Sequence, residues 1–149
     1  MNDDLVEALK KAQATTFALY LKAHNFHWNV EGKDFYQYHK FLQKVYEDSY
    51  EAVDVIAEFI RTLDEYAPGS LSRYHELSRI QDQTKVPRAQ LMLEELLSDS
   101  RVMVELLNEC FAEATAENKQ DIANFIAERL TATNKFIWML QSFLKDTRA

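Results

Sequence analysis

The chain contains only two glycines and two prolines among its 149 residues, and this scarcity restricts the folds available to it. Glycine and proline interrupt regular structure and form turns, so their near absence leaves long uninterrupted segments. Within these segments apolar residues recur at steps of three and four, which is the period of an α-helix. The sequence therefore predicts an all-α protein.

Four long helices are predicted at about residues 4–30, 34–66, 88–115 and 118–145. Gly32 is expected to take the left-handed conformation after the first helix. The middle connection of about 20 residues, with a short helix near residues 72–77, is long enough to join parallel second and third long helices, as in ferritin-like bundles. We therefore expect a single ferritin-like four-helix domain spanning residues 1–149.

The charge balance argues against nucleic acid as the default partner. The formal net charge is −7 at pH 7, whereas phosphate binding requires a concentrated basic surface. An acidic chain can attract cations, although solubility alone is enough to explain the charge.

The cellular compartment is predicted from the first residues, the length of the apolar runs and the cysteine content. The first four residues lack the basic and apolar regions of a signal peptide, and no apolar run reaches the 18 residues of a membrane helix. The single cysteine, Cys110, cannot form an intrachain disulfide and fits a reducing compartment. Its apolar neighbours at helical spacing predict a small core residue rather than a nucleophile. We expect a cytoplasmic protein.

Two groups of metal-ligand residue types stand out. Three of the four histidines, His24, His27 and His39, lie within 16 residues, and Asp54 and Glu58 are spaced to share one helix face. Taken singly, a helical histidine is more often structural and a carboxylate pair is more often solvated. Together, imidazole and carboxylate suit iron, zinc or manganese. No histidine follows a glutamate by three positions, so the Glu-x-x-His di-iron site inside one bundle is not expected.

Helix length indicates that these two groups belong to different subunits. If residues 34–66 form one helix, His39 and Asp54 are separated by roughly 22 Å along its axis at about 1.5 Å per residue. Ligand bonds of about 2 Å cannot bridge that distance. In a two-fold dimer with antiparallel second helices, the histidines of one copy would face the carboxylates of the other, which creates two identical sites.

The ordered pattern resembles the Dps family (DNA-binding proteins from starved cells), a family of mini-ferritins. The resemblance rests on His27-Trp28-Asn29, on His39, Asp54 and Glu58 at their spacings, and on the tracts at residues 67–71 and 136–140. It covers nearly the whole chain.

The resemblance implies a hollow dodecamer that oxidises Fe(II) at two-fold interfaces, commonly with hydrogen peroxide or else with oxygen, and stores Fe(III) mineral. His27 and His39 would bind iron from one subunit, and Asp54 and Glu58 from its partner. Zinc is a possible competitor because it accepts the same ligands. Trp28 would lie beside the site and receive oxidising equivalents, and an aromatic anchor at the dimer interface explains it equally well.

The chain departs from the family pattern at one ligand position and in its tail. Many members have an aspartate where this chain has Gln43, which places the second metal position in question; His24 and Glu47 are candidate accessory ligands. The Lys-rich tail of DNA-binding members is missing, so DNA binding is expected to be weak or absent.

Acidic residues near the start of the fourth helix are candidates for a cation pore. The family places a pore at this point, and a ring of negative charge on a three-fold axis would focus cations. A solvated helix face explains the same residues, which are Glu117, Asp121 and Glu128.

The sequence leaves two other functions open. One is a nucleoid-compacting, DNA-binding cage with weak iron chemistry, which a basic extension would favour. The other is a metal-free helical scaffold, which would fail to bind Fe(II).

Overall fold

The computed structural model describes residues 3–145, in which five helices and no strand occur. The helices are α1 (Asp3–Asn29), α2 (Phe35–Thr62), α3 (Leu71–Leu77), α4 (Ala89–Ala116) and α5 (Gln120–Leu144). The predicted all-α class, with four long helices and one short helix in the middle connection, is confirmed. Within the same range, no helix is both long and apolar enough to cross a membrane.

The long helices run in the order up, down, down, up. α1 and α2 form a hairpin across a short connection. α4 is antiparallel to α1, because Cys110 Sγ donates to the Ala8 carbonyl at 3.3 Å near one end and Lys22 contacts Asp99 at 2.8 Å towards the other. α2 and α4 are therefore parallel, as the long crossover predicted.

α2 ends four residues earlier than the sequence predicted, because it closes on a residue with positive φ. It ends at Thr62 rather than near residue 66. Asp64 has φ 64°, and the Glu65 N–H then donates to the Ile60 carbonyl at 3.3 Å. This is the Schellman pattern, in which a left-handed residue satisfies the last carbonyls of a helix.

The junction of α4 and α5 closes in the same way. Asn118 has φ 58°, and the Lys119 N–H donates to the Ala114 carbonyl at 2.9 Å. α5 consequently begins at Gln120, two residues later than predicted. Gly32 has the predicted positive φ, at 115°.

The short helix α3 is capped and held against α1. Ser70 Oγ accepts a hydrogen bond from the Arg73 N–H at 3.3 Å, which is the N-cap contact that favours serine. Gln13 Nε2 on α1 donates to the Pro68 carbonyl at 2.8 Å and to the Tyr74 hydroxyl at 2.9 Å. These bonds position the connection after α2, the helix that carries Asp54 and Glu58.

The bundle contains two apolar clusters with polar residues between them. The first cluster includes Leu5, Leu9, Ile56, Ile60, Leu106 and Ile122. The second includes Phe26, Leu42, Met92, Leu93, Leu96 and Leu140. Between them lie four buried hydroxyl residues from the four long helices, which line one small space and which we call the polar layer: Thr16, Ser49, Ser100 and Thr133.

The cysteine lies inside the bundle and is unreactive there. Cys110 is fully buried, and burial raises the pKa of its thiol to about 12. It is therefore a core residue, as predicted, and not a nucleophile.

Lys22 is the main buried cation of residues 3–145, with a side chain only 4% exposed. Its Nζ contacts Asp99 Oδ2 at 2.8 Å and Glu95 Oε1 at 3.0 Å, and Gln83 Nε2 donates to the second oxygen of Glu95 at 2.9 Å. Burial raises the pKa of Asp99, and Lys22 opposes that rise.

Candidate metal centre

His27 and His39 are held together where α1 passes into α2. Their rings stack at 3.8 Å between centroids, with an angle of 15° between planes. His27 Nδ1 lies 2.8 Å from the carbonyl oxygen of His39, and His39 Nδ1 lies 2.8 Å from the carbonyl oxygen of His27. Each histidine is thus oriented by the backbone of the other.

This reciprocal bonding prepares both rings for a metal ion. A carbonyl oxygen only accepts hydrogen bonds, so each Nδ1 must carry the hydrogen. In the neutral ring the lone pair then lies on Nε2. A histidine that ligates a metal almost always donates its other ring N–H to such an acceptor, which fixes the tautomer and the ring orientation. The pair therefore has the chemistry of two metal ligands.

Asp54 and Glu58 lie on α2, and both are exposed. α2 is continuous from Phe35 to Thr62, so His39 and Asp54, which are 15 positions apart, are separated by about 22 Å of helix. The structure does not bring the histidines and the carboxylates together in one chain. Among residues 3–145 no group of three or more His, Cys, Asp and Glu side chains is arranged to hold a metal ion.

Gln43 and Glu47 are linked to each other. Gln43 Nε2 donates to Glu47 Oε2 at 3.2 Å, and the two residues are one helical turn apart. Glu47 also lines the same groove as His24, so the structure brings these two accessory candidates close together. Gln43 itself supplies a neutral amide and adds no negative charge.

His24 lies between three aromatic side chains. Its ring stacks on Tyr46 at 3.8 Å and 10°, and it lies 4.0 Å from the Trp28 ring. Its Nδ1 is 3.0 Å from the Tyr20 hydroxyl. Burial, with a smaller contribution from His27, lowers the pKa of His24. Trp28 is 60% exposed, so it faces outward beside His24.

Three tyrosines that were not predicted as site residues form a row beside the histidines. Tyr46 lies 5.0 Å from the His27 ring, Tyr20 lies 6.3 Å from Tyr46, and Tyr50 lies 5.1 Å from Tyr20, all between centroids. We call Tyr46, Tyr20 and Tyr50 the tyrosine row. Burial and the neighbouring tyrosines raise the pKa of Tyr20, so its phenol stays protonated at neutral pH. The available signal was the four-residue spacing that aligns residues 20, 24 and 28 on α1 and residues 46 and 50 on α2.

The predicted pore residues lie at the junction of α4 and α5 and along the first half of α5. Glu117 is the C-cap of α4, and Asp121 lies in the first turn of α5. Glu128 lies about two turns further along α5 and is exposed, as is Asp121. Asp121 and Glu128 are seven positions apart and so lie on one face of α5, and the role of the three residues in a pore stays a prediction.

Comparison with known proteins agrees with the helix order. The sequence matches the ferritin-like domain over residues 6–149. It is 32% identical over 139 residues to a DNA protection during starvation protein of Helicobacter pylori, covering 93% of this chain and 96% of that protein. It is 30% identical over 146 residues to DNA protection during starvation protein 2 of Bacillus anthracis, covering 98% of this chain and all of that protein. The crystal structure of Dps from Staphylococcus aureus superposes with a TM-score of 0.93 at 28% identity, covering 97% of each chain.

The fold and the sequence match define a ferritin-like protein. Within that class, the chain belongs to the Dps family. Membership indicates a function in DNA protection or iron storage.

Proposed function

We propose that the chain oxidises Fe(II), with hydrogen peroxide as the oxidant, and stores the Fe(III) inside a hollow homo-oligomeric cage. The observation that supports this most directly is the reciprocal bonding of His27 and His39, which leaves two Nε2 atoms for a metal ion. A metal-free scaffold would have no need of two histidines oriented in this way.

The iron site is completed by a second copy of the chain. His27 and His39 of one subunit and Asp54 and Glu58 of its partner together supply two nitrogens and two carboxylates. The histidines suit Fe(II), and the hard carboxylate oxygens favour the Fe(III) product. Trp28, exposed and next to His27, lies beside the site and receives oxidising equivalents. Zinc competes with iron for these ligands.

The assembly we propose is the dodecamer of the Dps family. Its two-fold interfaces hold the iron sites, and Glu117, Asp121 and Glu128 line the path by which Fe(II) enters. We place the protein in the cytoplasm, where a single reduced cysteine is stable. Protection of DNA would then follow from removing Fe(II) and peroxide rather than from DNA binding, which the net charge of −7 disfavours.

An anaerobic titration tests this function. Fe(II) is added to the metal-free assembly, binding is followed by calorimetry, and peroxide is then supplied. We expect one peroxide to be consumed for each pair of Fe(II) ions, because peroxide accepts two electrons and each Fe(II) supplies one. Prior addition of Zn(II) should block both binding and oxidation. A chain that binds no Fe(II), or that oxidises it no faster than buffer, is not a ferroxidase.

The residue at position 43 should determine how tightly a second metal ion binds at each site. Replacing Gln43 with Asp adds a carboxylate one turn after His39, so we expect a second Fe(II) per site to bind about tenfold more tightly, equivalent to about 1.4 kcal/mol. Gln43→Asn is the matched control, since it has the size of aspartate without the charge. Equal second-site affinities in the two variants would show that Gln43 does not limit occupancy.

A further inference from the structure

We propose that the tyrosine row carries electrons between the two iron sites of a dimer. The proposal rests on the shared iron site of the proposed function and adds an activity to residues outside the ligand set. It assigns Tyr46, Tyr20 and Tyr50 a redox role.

The need for such a path follows from the ligand count. Two histidines and two carboxylates are enough ligands for one metal ion of this kind, and Gln43 adds only a neutral amide. One Fe(II) at a site supplies one electron, whereas the reduction of peroxide to water takes two. A second electron must therefore reach the site, or the peroxide is left as a hydroxyl radical.

The row lies between the two ligand pairs of one chain. It starts at the His27 ring with Tyr46 at 5.0 Å and reaches Tyr50 through Tyr20, with no step between centroids longer than 6.3 Å. Tyr50 lines the same groove as Asp54 and is one helical turn from it, or about 6 Å along the axis. In the proposed dimer, the histidines belong to one site and Asp54 belongs to the other. The row therefore spans the distance between two sites.

His24 is placed to take up the phenol proton of Tyr20 when this tyrosine is oxidised. The Tyr20 hydroxyl and His24 Nδ1 are 3.0 Å apart. When Nδ1 is the acceptor, the phenol can release its proton to the imidazole as it loses an electron and recover it afterwards. This avoids a charged tyrosine cation in a partly buried position.

The electron balance is complete without another reactant. Peroxide at one site takes one electron from its Fe(II) and one from the row, two protons are taken up, the O–O bond breaks and two waters leave. A neutral tyrosyl radical remains. Fe(II) at the other site then reduces the radical, and the phenol regains its proton. The sum is two Fe(II), one peroxide and two protons giving two Fe(III) and two waters.

Freeze-quench electron paramagnetic resonance on the assembled protein tests this path. Protein is loaded anaerobically with Fe(II) at one ion per dimer or one ion per site, and peroxide is then added. At one ion per dimer we expect a tyrosyl radical that lasts severalfold longer than at one ion per site, where the second Fe(II) removes it. A radical lifetime independent of loading would overturn the link between sites.

Phenylalanine variants provide the second measurement. We expect the triple variant Tyr20→Phe, Tyr46→Phe, Tyr50→Phe to bind Fe(II) normally, to lose the radical and to release severalfold more spin-trapped hydroxyl radical. Tyr36→Phe is the matched control, because Tyr36 is exposed like Tyr50 but lies against Lys40, away from the row. The redox role of the tyrosine row would be rejected, and the ferroxidase function kept, by two results together. Wild-type protein would oxidise iron without forming a radical, and the triple variant would release no more hydroxyl radical than wild-type protein. Failure of wild-type protein to oxidise Fe(II) would reject the ferroxidase function as well.

Discussion

Co-expression of His39→Ala with Asp54→Ala chains should restore about a quarter of the ferroxidase sites, although each variant alone should be close to inactive. If a site takes its histidines from one chain and its carboxylates from the partner, it is intact only when an Asp54→Ala chain supplies the histidines and a His39→Ala chain supplies the carboxylates. With equal amounts and random pairing in two-fold dimers, this happens at about one site in four. Rapid oxidation of Fe(II) by peroxide, normalised to assembled protein, measures the recovery.

A second mixture distinguishes shared from unshared sites. In this mixture the double variant His39→Ala, Asp54→Ala is co-expressed with wild-type chains. Shared sites again leave about a quarter of the activity, whereas sites contained in one chain would leave about half. No recovery in the first mixture together with half activity in the second would show that each subunit holds its own complete site.

Lys22→Ala should strongly destabilise the fold, lowering the free energy of unfolding by about 3–5 kcal/mol. The change removes the cation between Asp99 and Glu95 and leaves a buried carboxylate without its partner. Urea unfolding at one fixed protein concentration measures the loss. Lys10→Ala is the control on the same helix: its pair with Glu7 is largely exposed at the glutamate, and we expect a loss below about 1 kcal/mol.

The loss in the free energy of unfolding caused by Lys22→Ala should grow as pH rises. Burial raises the pKa of Asp99 above its ordinary value, and Lys22 opposes that rise. Without Lys22 the pKa of Asp99 rises further, so the folded protein holds this proton more tightly than the unfolded chain does. The resulting stability is present below the ordinary aspartate pKa and is lost as pH rises through the folded value.

Unfolding at pH 5 and at pH 8 therefore checks the cause of the deficit. The double variant Lys22→Met, Asp99→Leu removes both charges of this pair. It should recover most of the stability that Lys22→Ala loses, since an apolar pair of similar volume can replace a buried ion pair. A deficit that is the same at both pH values, and that persists in the double variant, would point to lost packing of the lysine stem instead.

Sequence patterns predicted the helices well because each buried stripe follows the helical period. They failed at helix ends, where Asp64 and Asn118 take the left-handed conformation that glycine usually provides. Asp and Asn take this conformation more readily than other non-glycine residues, but their identity alone does not say at which residue a helix ends.

The candidate site was predicted unevenly for a similar reason. The resemblance implied that His27 and His39 act from one subunit, and the tight hairpin around Gly32 is what brings their rings together. The tyrosine row was missed because aromatic residues spaced by four are usually core residues. The proposed meeting of the histidines with Asp54 of a second chain was inferred from helix length, and the structure of a single chain does not test it.

The polar layer has a consequence for assembly. Apolar clusters at the two ends of a bundle tolerate sliding of one helix past another by a turn, because leucine and isoleucine pack in several registers. A hydroxyl group that is bonded to a neighbouring helix at mid-height does not, since sliding would leave it in hydrocarbon without its partner. Thr16 Oγ1 on α1 donates to Met103 Sδ on α4 at 3.7 Å, and sliding of α1 along α4 would break this contact. A fixed register of α1 would hold His27 at a set height in the bundle, which the proposed sharing of two sites across a two-fold axis requires.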